Sequence, residues 1–330
     1  MPKSLHLSAL AVLAAAALAL TGCAPSSSDD AASTETISID HAFGTAEVPV
    51  GADRVVAYGW GSADAAIALG VVPVAIPFQS YGGNEDGVLP WISDALDEMG
   101  AELPTVLPDS GEEPPYDEIA KANPDVILAV YSGITEEQYE LLNAMAPTVA
   151  YPGEAWSTPW RDVVTTVGKA LGKDAEAVEV LAGIDEELAA QAAAHPEFAG
   201  KSIAAVWDVA GTFYVYKDAD PRVEFLFDLG FTNPASVDEL ANGDSTFYYT
   251  LSYEQLDKLE SDVVLSYSDT QEEADAFVTS SYGLAIPAVA AGNVATAVGT
   301  EFIAAVSPPT ALSLPWGLDE LIAALEVATK

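Results

Sequence analysis

Positive charge is scarce in this sequence. Against 51 Asp and Glu stand only 11 Lys and Arg, a formal net charge of −40 over 330 residues. Nucleic acid is thereby excluded as a partner, because phosphate contacts require clustered Lys and Arg. The acidic residues are dispersed rather than blocked, which reads as a solvating surface. Cysteine is nearly absent: Cys23 is the only one, so no intramolecular disulfide can form. Histidine is confined to His6, His41 and His195. Neither a Ser-His-Asp nor a Cys-His site can be assembled from them, and the ligand set of a Zn or Mn site is missing. A Gly-Lys-Ser/Thr phosphate loop and a GxGxxG after a strand are both lacking. No EF-hand loop occurs either, although carboxylate-only Ca sites stay open. These absences point away from an enzyme and towards a protein that binds without reacting.

What is present begins at the N-terminus. Lys3 supplies a basic start and residues 9–20 an apolar run, at about a dozen residues too short to span a bilayer but right for a signal-peptide core. Leu20-Thr21-Gly22-Cys23 follows and resembles a bacterial lipobox, which implies lipidation of Cys23 after removal of residues 1–22. Residues 23–36 are small, polar and acidic without periodicity, the composition of a flexible tether between membrane anchor and folded body.

The body reads as α/β. Residues 36–39 and 46–50 form a short hairpin; residues 54–58 are a strand, 63–69 a helix closed by Gly70, and 71–75 the next strand. Strand, helix, strand at this spacing is a βαβ unit and hence part of a parallel sheet. Helices follow at 91–99, 116–122 and 135–145 and strands at 124–130 and 148–151, with Thr158 and Pro159 as N-cap and N1 of a helix through Leu171. Ala177, Leu181, Ile184, Leu188 and Ala192 then mark one face of a long helix over residues 173–194, stopped by Pro196. Beyond it the plan repeats, with strands at 202–207, 262–267 and 292–296 and helices at 224–229, 253–259 and 316–328.

One internal similarity is sharp. Residues 116–132 and 253–269 align without a gap, matching Tyr116 with Tyr253, Lys121 with Lys258, Asp125 with Asp262, Val126 with Val263 and Leu128 with Leu265. Leu69-Gly70 is echoed by Leu229-Gly230. The chain therefore carries two copies of one unit: two Rossmann-like α/β lobes, residues 37–172 and 196–330, joined by one long helix over residues 173–195.

Ligands of doubly wound lobes meet the loops after the carboxyl ends of the strands, and organic ligands are held by aromatic walls. The candidates on the first lobe are Trp60, Tyr81, Trp91 and Trp160, with Trp156 near the last; on the second they are Trp207, Tyr214, Tyr248 and Trp316. Arg54 opens a strand and reads as structural. Arg161 and Arg222, the remaining arginines, could hold an oxygen-rich ligand by charge-assisted hydrogen bonds or pair with neighbouring carboxylates. Asp117 and Glu254 occupy equivalent positions in the two copies, so each lobe presents one carboxylate to a two-fold partner with basic pockets.

Taken in order, Arg54-Val55-Val56, residues 68–74, Glu113-Pro114, residues 124–128, residues 136–140, residues 146–149, residues 251–254 and residues 262–265 resemble the substrate-binding lipoproteins of ABC importers for iron siderophores and cobalamin. Gly59-Trp60-Gly61, residues 248–254 and residues 307–316 are similar to actinobacterial iron-siderophore binders. The resemblance implies a class III periplasmic-binding-protein-like fold and a lipid-anchored monomer outside the cell membrane. It further implies capture of a ferric siderophore in a cleft between the lobes, without a cofactor, and delivery to permease subunits driven by cytoplasmic ATPases. Asp117 and Glu254 fall where the family contacts permease arginines, with Asp in place of the commoner Glu. So few arginines favour a hydroxamate or mixed siderophore over a catecholate. A haem or cobalamin binder of the same fold is the alternative, and a secreted hydrolase the alternative from another class.

Overall fold

A computed structural model of the chain describes residues 35–111, 113–243 and 245–330. The expected signal peptide and Cys23, with most of the tether, lie outside those residues. An antiparallel hairpin comes first, β1 (Thr36–His41) and β2 (Gly44–Pro49). The first lobe then runs β3 (Val55–Ala57), α1 (Ser62–Ala68), β4 (Ala75–Pro77), α2 (Pro90–Met99), β5 (Thr105–Leu107), α3 (Tyr116–Ala122), β6 (Val126–Leu128), α4 (Glu136–Asn143), β7 (Thr148–Val149) and α5 (Trp160–Ala170). Its five strands are all parallel, in the order β5-β4-β3-β6-β7. Such a sheet is covered on both faces, and β3 and β6 are buried at every residue.

α6 (Asp174–Ala194) connects this lobe to the next and buries Ala177, Ile184 and Leu188. Its 21 residues span about 30 Å. The second lobe comprises β8 (Ile203–Val209), β9 (Thr212–Tyr216), α7 (Pro221–Asp228), α8 (Ala235–Leu240), β10 (Tyr248–Thr250), β11 (Val263–Ser268), α9 (Gln271–Thr279), α10 (Pro287–Ala291), β12 (Val294–Val298), α11 (Thr300–Val306) and α12 (Ser313–Ala328). Its sheet order is β10-β9-β8-β11-β12. Position by position this is the order of the first sheet, but β9 runs antiparallel to both β8 and β10.

The repeated sequence explains the shared part. Asp125 accepts hydrogen bonds from the backbone N–H of Asp53 (3.2 Å) and Arg54 (3.0 Å), just before β3. Its counterpart Asp262 accepts from the backbone N–H of Ser202 at 2.8 Å and from the Ser202 hydroxyl at 2.9 Å, just before β8. Each carboxylate thus ties the start of its lobe's central strand to the strand that follows it. Arg54 is structural as read: its Nε donates to Asn123 O at 2.7 Å and its Nη2 to Ala122 O, closing α3.

Four local expectations are corrected. The strand expected at 71–75 begins only at Ala75, because Val71 N–H donates back to Ala66 O to close α1 over Gly70 (φ 79°) and Pro73 has no N–H to give a ladder. Thr158 does not cap α5; its hydroxyl is buried and donates to Val130 O at 2.9 Å, leaving Pro159 at the cap. Residues 253–258 form a 3-10 turn rather than an α-helix. The second lobe is not a strict copy, since β8 and β9 make a tight hairpin through Ala210 (φ 52°) and Gly211 (φ 78°). Positive φ at both positions is the signature of the hairpin turn that matches strand twist.

Residues 35–330 form one compact unit, and the lobes are clasped together. Tyr81 donates to Asp269 at 2.7 Å, Trp60 Nε1 to Pro308 O at 3.2 Å, and Trp316 Nε1 to Asp94 at 3.2 Å. Thr310 donates to Asp64, which is 2 % exposed and also accepts from Trp91 Nε1 at 2.6 Å. Burial raises the Asp64 pKa, while these donors oppose the shift. Gly82 completes the clasp, because a Cβ there would stand 2.5 Å from the Ala304 Cβ of α11.

Candidate functional site

The carboxyl ends of the first-lobe strands open into a cavity of about 790 Å³, within the range of small-molecule sites. The crest loops that surround it are tied together by their backbones. Tyr58 and Gly59 N–H both donate to Leu128 O at 2.8 Å, Trp60 N–H to Tyr131 O at 2.9 Å, and Trp156 N–H to Ser132 O at 3.1 Å. Gly59 lets the loops after β3 and β6 meet so closely: a Cβ there would lie 2.9 Å from the Ala129 carbonyl carbon.

Aromatic faces line this cavity. Trp60, Tyr131, Trp156 and Tyr58 all contribute. Trp156 is 47 % exposed, adopts the left-handed region at φ 59°, and meets Tyr131 edge-on at 5.6 Å. It packs closely against Gly133, where a Cβ would sit 2.1 Å from its Nε1. Its exposure and its place in a loop distinguish it from Trp160, four residues on, which starts α5 and is only 3 % exposed. Of the two tryptophans, the cavity takes Trp156, and Trp160 packs in the core.

The second lobe brings a further aromatic set to Tyr81. The Tyr81 ring lies 6.2 Å from Trp207 at the end of β8, and Trp207 lies 6.0 Å from Tyr267. Tyr214 pairs with Trp207 across the β8–β9 ladder and meets Tyr248 edge-on at 5.5 Å. Burial and the Asp269 hydrogen bond together raise the Tyr81 pKa, so its hydroxyl stays protonated as a donor.

Trp91 and Trp316 are drawn elsewhere. Trp91 is 2 % exposed, donates to Asp64 and packs 5.6 Å from Trp316, forming a cross-lobe pair between α2 and α12 outside the cavity lining. Arg161 is likewise consumed. Its guanidinium lies 4.3 Å over the Trp160 ring and pairs with Asp185 of α6 at 2.7 Å and Asp228 of α7 at 2.8 Å, so it ties the connecting helix to both lobes.

Arg222 occupies the seam between the lobes. It is 9 % exposed, its Nε contacts Asp220 at 2.7 Å, and its guanidinium lies 3.9 Å over the Tyr216 ring. Burial opposes its charge, but the Asp220 carboxylate holds its pKa above the ordinary value. Burial pushes Asp220 up while the guanidinium draws it down, and the 2.7 Å contact keeps the two as an ion pair. Tyr131 belongs to the first lobe, is pushed up to about 12 chiefly by burial, and lines the cavity. The Arg222 cluster thereby reaches the ligand-facing crest through Tyr131.

Asp117 and Glu254 are both exposed in the first turn of equivalent elements, α3 and the 3-10 turn at Tyr253–Lys258. His195 meets Glu197 at 3.1 Å and Glu326 at 3.6 Å where α6 and α12 end. No described helix is long and apolar enough to cross a membrane.

Among proteins of known structure, the chain resembles the iron-uptake binding protein PiaA of Streptococcus pneumoniae in complex with ferrichrome, at 33 % identity and a TM-score of 0.81, covering 89 % of this chain and 98 % of that one. A periplasmic solute-binding protein of Mycobacterium smegmatis matches at 27 % identity and a TM-score of 0.74, covering 90 % and 99 %. Staphylococcus aureus SirA, complexed with staphyloferrin B, shares the fold at 24 % identity and a TM-score of 0.71, covering 89 % of this chain and all of that one. No curated protein matches the sequence. The periplasmic binding protein family pattern spans residues 55–298, from β3 through β12 and so through both sheets and the helix between them. On sequence and fold alike, the chain belongs to the periplasmic binding protein family.

Proposed function

We propose that this protein is the extracytoplasmic solute-binding component of an ABC importer, lipid-anchored through Cys23, that captures a ferric siderophore of hydroxamate or mixed type. The observation that carries the reading is the aromatic-rimmed cavity of about 790 Å³ at the carboxyl ends of the first sheet. Its size suits a chelate rather than a bare ion, and the described residues that line it include no histidine or cysteine. Iron therefore arrives already chelated. The likeness to a protein crystallised with ferrichrome supports the same ligand class.

Each residue set has a task in capture. Trp60, Tyr131 and Trp156 present apolar surface to the chelate; Tyr81, Trp207, Tyr214 and Tyr248 lie outside the cavity lining and form a second aromatic set at the seam. Behind Tyr131 the buried Arg222, its charge balanced by Asp220, backs this wall. Nothing is made or broken. Asp117 and Glu254 then seat one lobe each on basic pockets of the permease, and cytoplasmic ATPases drive transfer. The protein works as a monomer.

Tryptophan fluorescence tests the reading. Ferric hydroxamates are expected to quench at sub-micromolar concentration, because Trp60 and Trp156 line the cavity, with no product formed. Absence of quenching across hydroxamates and catecholates overturns it, and quenching by haem or cobalamin alone assigns the fold's other ligands instead.

A further inference from the structure

Charge is distributed unevenly around the cavity. Asp109, Glu113 and Glu137 line it, whereas no lysine or arginine does among the described residues. All three carboxylates are exposed, and none is in an ion pair among the described residues. The cations nearby in sequence are engaged elsewhere: Lys121 pairs with Glu118 at 3.1 Å, and Arg54 donates to the end of α3. Arg222, the one buried cation described close to the crest, is neutralised by Asp220. The negative field is felt by the neighbouring phenols. Tyr116 is pushed up to about 12 by burial first and then by Glu113, and Tyr58, which lines the cavity, is raised by the same two causes.

Carboxylates interleaved with the aromatic faces of Tyr58, Trp60, Tyr131 and Trp156 are the chemistry that recognises an ammonium group. The rings attract a cation by their quadrupoles and the carboxylates by their charge. A polycarboxylate chelate would meet the same three groups as repulsion.

We infer that the cavity selects its chelate by charge, favouring a ferric hydroxamate that bears an ammonium group, accepting a neutral one and rejecting an anionic one. This rests on the ferric-siderophore reading, and one ligand series separates the two. Ferrioxamine B carries a terminal ammonium; its N-acetyl derivative is neutral there and its N-succinyl derivative anionic, with the same iron centre throughout. In quenching titrations at about 10 mM salt, where screening is weak, dissociation constants should rise in that order. Three carboxylates at roughly 8 Å across water correspond to about tenfold between successive members of the series. The spread should shrink at about 1 M salt and in Glu113→Gln/Glu137→Gln.

Equal dissociation constants for the three chelates, or the reverse order, overturn charge selection while leaving the siderophore reading intact. A spread that persists undiminished in the double variant overturns its assignment to these carboxylates. Failure of all three and of every other ferric siderophore to bind overturns the siderophore reading itself.

Discussion

Gly133 holds Trp156 in place by having no side chain. With a Cβ 2.1 Å from the indole nitrogen, Gly133→Ala must push the ring off the cavity wall. Since the glycine has no positive φ to relieve, the backbone should tolerate the change. The variant is expected to unfold within about 1 kcal/mol of wild type but to lose roughly tenfold in siderophore affinity, measured by urea denaturation and fluorescence titration side by side. Asp262 is the opposite case, a residue that acts on folding alone. The backbone N–H and the hydroxyl of Ser202 hold its carboxyl below the usual range. A depressed folded pKa gives stability that is present above the unfolded carboxylate pKa, near 4, and is lost as pH falls through the folded value. Asp262→Asn should therefore cost about 1 kcal/mol at pH 7, a difference that urea melts should find closing below about pH 3.

At the scale of elements, α6 is the clearest test of what was legible. Its buried Ala177, Ile184 and Leu188 lie on the face that the apolar spacing marks, and a Cβ added at Gly183 on the same helix would meet nothing within 4 Å. Gly183→Ala should stabilise by up to about 1 kcal/mol. Leu181→Pro should cost about 3 kcal/mol or more by removing a helical hydrogen bond, which thermal denaturation will rank directly. Most helices and central strands were similarly readable because burial imposes periodicity on them, and the Asp125 and Asp262 repeat was readable because both do the same work. The β8–β9 hairpin was not, although alternation of buried Phe213 and Val215 after Gly211 was an available signal. Site residues were harder still. Trp156 and Trp160 have the same chemistry, and only the tertiary fold decides that the helix start is buried and the loop exposed. Arg161 reads as a ligand contact until Asp185 and Asp228, distant in sequence, arrive beside it.

At the scale of the whole molecule, the exposed carboxylates Asp117 and Glu254 sit one on each lobe and outside the cavity lining. Asp117→Ala with Glu254→Ala is expected to abolish iron uptake by cells while leaving siderophore affinity unchanged in titrations; a loss of affinity instead would place these residues in ligand capture. Such docking would take its geometry from the clasp: Tyr81 on Asp269, Trp60 on Pro308, Thr310 on Asp64 and Arg161 on Asp228 all resist changes in the distance between the lobes.

Such a clasp is expected to leave the outline of the protein almost the same whether or not it carries cargo. A permease that reads only the two carboxylates would then receive empty carriers nearly as readily as full ones. Uptake should accordingly rise and then decline as copies of this protein are added beyond the supply of iron, a traffic limit set by tyrosine and threonine hydroxyls at the seam between the lobes.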